Sequence, residues 1–118
     1  MRRTTIALAL AALLALAVPA NAVEGNKVKS KITIKQISSS GAKGKVTSKR
    51  SGCEPQRKVT LFKYVDFVTE KVKITQSDSN GAWRVRQDLE PGKYFAKVDA
   101  VKTAGTRCLY DISKNAHV

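Results

Sequence analysis

The chain is poor in almost everything an active site is built from. Its 118 residues hold one histidine, two cysteines, one tryptophan and three prolines, and nine acids stand against 22 lysines and arginines. The histidine is His117, next to the C-terminus, with no serine or cysteine spaced to serve it as a nucleophile and no ligating residues clustered about it. Nucleophilic and metal-assisted catalysis both require such clusters, so no enzyme, metal or cofactor is expected. The acids, among them Asp66, Glu70, Asp78, Asp88, Glu90, Asp99 and Asp111, are scattered. Two of them meeting as a glycosidase pair would need a cleft that so small a domain has little room to form. Beyond the N-terminal stretch there is no apolar run long enough to span a bilayer.

What is present begins with an export signal. Arg2 and Arg3 precede an uninterrupted apolar run from Ile6 to Val18, Pro19 breaks it, and Ala20-Asn21-Ala22 supplies the small-x-small pattern of a signal peptidase site. The run is short for a membrane anchor and lacks a basic stop-transfer flank, and no cysteine near the cleavage point makes a lipoprotein. Residues 1–22 are therefore read as a cleaved signal peptide and 23–118 as one secreted domain, extracellular or associated with the cell envelope. The leader takes two basic residues and no acid, so the domain keeps a net charge of +11.

Cys53 and Cys108 survive cleavage. An even count in an exported chain favours a disulfide over a reactive thiol, and there is no CxxC spacing for redox work. Closing so long a loop restricts the unfolded chain by roughly 4 kcal/mol in the chain-entropy picture. A small domain with a modest core gains from such a staple.

The periodicity is that of strands throughout. VKSKITIKQ (28–36) sets Val28, Ile32 and Ile34 against Lys29, Lys31 and Lys35. KVTSK (45–49) places Val46 inward, and RKVTLFKYV (57–65) is dense in β-branched and aromatic residues. EKVKIT (70–75) puts Val72 and Ile74 on one face, SDSNG (77–81) reads as a hairpin turn, and AWRVRQ (82–87) alternates Trp83 and Val85 with Arg84 and Arg86. KYFAKVDAV (93–101), a hairpin loop KTAGT (102–106), RCLYDIS (107–113) and an edge segment at 116–118 complete the chain. Seven or so short strands separated by turns predict an all-β Greek-key sandwich, transthyretin-like or Ig-like, with a closed barrel as the lesser alternative. Val59, Leu61, Trp83, Val85, Tyr94 and Val98 are its expected core.

From Gly44 onward the chain resembles the transthyretin-like sandwich of carboxypeptidase regulatory-like and Cna B-type domains. Val59 and Leu61 match a core Val-x-Leu strand, Asn80, Gly81 and Trp83 a turn-and-aromatic segment, and Leu89, Pro91, Gly92 and Tyr94 an L-x-P-G-x-Y segment. The resemblance implies two packed sheets, Cys53–Cys108 clamping a central strand to an end strand, and a non-catalytic role as stalk, adhesive or carbohydrate-associated module. Some Cna B-type domains also carry a Lys–Asn isopeptide bond. Lys29 or Lys31 with Asn115 fit by position, but Lys97 and Asp99 stand where those relatives carry the required Glu.

Two surfaces are candidates for binding. The charge attracts polyanions, with Lys43, Lys45, Lys71 and Lys73 as the expected contacts and anionic envelope polymers such as teichoic or uronic chains as partners. Nucleic acid is an unexpected physiological partner for an exported chain. Alternatively Phe62, Tyr64 and Phe95, opposite the core-facing positions, would form an outward aromatic strip for carbohydrate unless a loop such as VDFVT (65–69) covers it. A third alternative is a secreted inhibitor presenting KTAGTR (102–107) as a rigid loop.

Overall fold

The computed structural model describes residues 26–118; the expected signal peptide and cleavage site lie outside the described residues. Eleven strands follow in order: β1 (Lys27–Val28), β2 (Ser30–Ser38), β3 (Gly41–Ser48), β4 (Lys58–Val65), β5 (Val68–Gln76), β6 (Ala82–Arg86), β7 (Lys93–Val98), β8 (Val101–Thr103), β9 (Thr106–Cys108), β10 (Asp111–Ile112) and β11 (Ala116–His117). They form an all-β sandwich. One sheet runs β2-β3-β6, and the other runs β10-β7-β4-β5 with β11 also on β7. A small third sheet runs β1-β9-β8. The chain leaves β5 for the first sheet and returns in β7 beside β4, the crossing connection expected of a Greek key.

The core follows from alternation. Ile32, Ala42, Val46, Trp83 and Val85 face inward from the first sheet, and Val59, Leu61, Tyr94, Ala96 and Val98 meet them from the second. Gly44 is the cross-strand partner of Trp83, and a Cβ there would lie 2.8 Å from the indole Cζ2, so the missing side chain is what admits the largest one. Cys53 and Cys108 are joined and fully buried, tying the 3-10 turn Ser51–Cys53 to β9.

Several local expectations are corrected. SDSNG is not a hairpin: β5 pairs with β4 and β6 with β3, so the turn carries the chain between sheets. Its local chemistry still holds, since Gly81 has φ +83° and Asp78 Oδ1 accepts from the amides of Asn80 and Ala82. The segment 93–101 is two strands, broken at Asp99–Ala100 where β8 turns into the third sheet. Val28 leaves the first sheet to pair with Cys108 in that small sheet. A register shift opposite Leu61 and Phe62 separates Val72, which packs on the core, from Ile74, which is exposed. Lys29, Lys31 and Asn115 are all exposed, so the buried lysine that an isopeptide bond requires is missing at those positions.

Candidate functional site: a cationic sheet face

The outward positions of the first sheet form cross-strand rows. Thr33, Lys45 and Ala82 make one, Gln36, Lys43 and Arg84 the next, and Ser38, Gly41 and Arg86 a third, while Lys31 sits opposite Thr47. The bulge between Ile34 and Gln36 takes up Lys35 and keeps Gln36 in step with Lys43. Lys31, Lys43, Lys45, Arg84 and Arg86 therefore share one face, and β2, β3 and β6 contain no acid. Neighbours on such a face stand about 5 Å apart across strands and ~7 Å apart along them. The ion pairs among the described residues, Lys58–Asp99 at 3.7 Å and Lys63–Glu90 at 3.2 Å, both belong to the other sheet and its loops. Like charges packed so closely repel one another and focus a positive potential outward. At one end of the face the last two rows border an open groove of about 270 Å³.

The four lysines expected to bind polyanions do not form one patch. Lys43 and Lys45 are on this face, whereas Lys71 and Lys73 lie on β5, the edge strand of the opposite sheet. Arg84, Arg86 and Lys31 complete the face, and the strict alternation of AWRVR is the signal that places the two arginines there.

Phe62, Tyr64 and Phe95 are adjacent on the outer face of the second sheet. The rings of Phe62 and Phe95 stack at 5.0 Å with an 11° interplanar angle, and Tyr64 leans on Phe95 at 5.1 Å. Lys93 Nζ sits 4.8 Å from the Tyr64 centroid. The rings thus spend their faces on one another and on a lysine, and Phe95 is only 8% exposed. A sugar needs a free ring face, so this cluster is a poorer platform than an open row of rings. The loop 65–69 does not lie over it: it is the tip of the β4–β5 hairpin, with Phe67 102% exposed.

The segment 102–107 is also tighter than expected. Ala104 (φ +46°) and Gly105 (φ +78°) both occupy the left-handed region, closing a two-residue hairpin between β8 and β9. It offers a partner a knuckle rather than an extended strand.

Arg57 is the functional-looking residue that charge counting places wrongly. It is 1% exposed, one of the basic residues yet unavailable to any partner. Its Nη1 donates to Ser30 Oγ (2.9 Å) and the Cys53 carbonyl (2.6 Å), and its Nη2 to the carbonyls of Asp99 (2.7 Å) and Leu109 (3.1 Å). Burial pushes the guanidinium below its ordinary pKa, and the nearby Asp99 charge opposes that shift. Arg57 has the same parity as Val59 and Leu61, which is the sequence signal for its inward direction.

Among the described residues no group of three or more histidines, cysteines or acids could hold a metal ion, and no helix is long and apolar enough to cross a membrane. Comparison of the chain with protein-family models, characterised proteins and solved structures finds no match.

Proposed function

We propose that this protein is an exported, non-catalytic binding module of the cell envelope or exterior that holds anionic polymers on the outer face of its three-stranded sheet. The observation that carries the reading is the five cations of that face, set on three strands without one acid. The N-terminal charge-apolar-small pattern and the buried disulfide support export. The sandwich is read as a transthyretin-like domain of the carboxypeptidase regulatory-like and Cna B-type kind. The strand with Val59 and Leu61, the Asn80-Gly81-Trp83 turn and the Leu89–Tyr94 segment support that kinship.

Binding of this sort works through distributed charge and counterion release, so it weakens steeply with salt. The test is a salt titration of binding to a teichoic acid and to a neutral glucan, using the wild type and a Lys45→Glu/Arg84→Glu variant. Salt-sensitive binding to the anionic polymer alone, with a shallower slope in the variant, is the expected result. Salt-independent binding to the glucan that disappears in a Phe62→Ala/Tyr64→Ala variant would transfer the function to the aromatic cluster.

A further inference from the structure

We infer that the groove at the Ser38–Ser40 end of the cationic face is a subsite for a phosphate monoester, such as a phosphorylated sugar or the phosphate terminus of a polymer. The inference rests on the polyanion reading and gives it a chemical preference.

The floor of the groove is a glycine that cannot be anything else. Gly41 lies between Ser38 and Arg86 in the third row, at φ +146°, and a Cβ there would fall 2.2 Å from the Val85 carbonyl oxygen. The floor at this position is therefore bare backbone, and the walls are exposed side chains. Around it stand Lys43, Arg84, Arg86, Gln36, Ser38 and Ser40. Ser38 Oγ and Ser40 Oγ are 2.9 Å apart. One hydroxyl proton serves that bond, which leaves the other free to donate to a ligand.

The donor set favours one anion over others. A uronate offers one charge and two coplanar oxygens, and a phosphodiester one charge and two free oxygens. A phosphate monoester offers three terminal oxygens and, near neutral pH, close to two charges. Three cations, an amide and a spare hydroxyl around one bare floor match the larger demand. Both β6 positions are arginine, whose planar fork pairs with two phosphate oxygens at once, as a lysine cannot. No carboxylate or imidazole lines the groove, and the acid nearest to it along the chain is Asp88, beside the Leu89 amide that donates to the Ser39 carbonyl. Between about pH 5 and pH 7.5 the ligand's own second ionisation is then what changes the charge balance.

The experiment titrates the domain with glucose 6-phosphate, glucose 6-sulfate and glucuronate at pH 5 and pH 7.5, following the arginine Nε–H and backbone amide resonances by NMR. The wild type should bind glucose 6-phosphate several-fold more tightly at the higher pH, with shifts centred on Gly41, Arg84 and Arg86. Glucose 6-sulfate, with three oxygens but a single fixed charge, should bind more weakly and without pH dependence. Arg84→Lys/Arg86→Lys keeps the charge and should weaken glucose 6-phosphate about three- to tenfold, a larger loss than it causes for glucuronate. Equal binding of glucuronate and glucose 6-phosphate, or shifts spread evenly to Lys31 and Lys45, would overturn the subsite and leave the polyanion face standing. Loss of binding to every anionic polymer, the wild type included, would overturn both.

Discussion

The hydroxyl of Tyr94 donates to the carbonyl of Glu90 at 2.6 Å, spanning the Pro91-Gly92 turn that returns the chain from the first sheet to the second. The ring is buried in the core while its polar end closes the loop, so one residue fixes both a strand and its entry. Tyr94→Phe keeps the ring and removes the bond, and should lower stability by about 1–2 kcal/mol in urea melts without changing the slope. An unchanged midpoint would mean that water replaces the hydroxyl at no cost.

Arg57 stands at the meeting point of four segments and satisfies four acceptors at once. Arg57→Met fills much of the same space but leaves those acceptors unpaired, and an expected cost of about 3–5 kcal/mol follows. Arg57→Lys should recover less than half of it, because a single ammonium cannot reach acceptors on opposite sides. A loss under about 1 kcal/mol for Arg57→Met would show that the network is dispensable.

The buried Cys53–Cys108 bond joins the turn before β4 to the short strand β9. The oxidised protein should weigh two mass units less than its reduced form and react with no thiol reagent, folded or unfolded, until it is reduced. A Cys53→Ala/Cys108→Ala variant should be less stable by about 2–4 kcal/mol. Hydrogen exchange should show the third sheet, which is small and held by this link, opening before the two main sheets do.

Trp83 packs across the bare Cα of Gly44. Trp83→Ala is expected to cost about 3–5 kcal/mol. Gly44→Ala should be comparably damaging even beside Trp83→Phe, since the added Cβ would also fall 1.8 Å from the Thr33 carbonyl oxygen. Tolerance of Gly44→Ala in denaturant melts would place the indole elsewhere.

The division of the lysines between sheets gives a further comparison. Lys43→Ala/Lys45→Ala should lower the salt slope for a teichoic acid more than Lys71→Ala/Lys73→Ala, because only the first pair shares a face with Arg84 and Arg86. Equal effects would favour net charge over any defined face.

Period-two alternation was enough to read the all-β sandwich and its central inward residues, because Val59, Leu61, Trp83, Val85 and Val98 each sit where the pleat demands, but not the breaks that divide 93–101 and 107–113 into separate strands. What local pattern could not supply was the sheet that each strand joins. Asp78-Ser79-Asn80-Gly81 has the chemistry of a tight turn whether the next strand pairs with the last or crosses over. The choice is made by Trp83 and Val85 joining one core with Ile32, Val46, Val59 and Leu61, residues distant in sequence. The cationic face was hidden for a related reason: Lys43 and Lys71 look alike along the chain, and only strand order parts them. The bulges at Ile34/Gln36 and Leu61/Phe62 shift the alternation by one residue and have no sequence mark of their own.

The Asp111 carboxylate accepts from the Ile32 amide at 2.9 Å, on the side of β2 that pairs with no strand although β10 and β11 lie near it. An open strand edge is a template on which another chain can add itself, and repeated addition builds fibrils. At Ile32 the template is already occupied by a side chain that no incoming backbone carbonyl can displace without stranding a charge. Asp111→Ala should leave the monomer folded at low concentration and shorten its lag to thioflavin-positive aggregates as concentration rises, because the Ile32 amide is then free to pair with another chain.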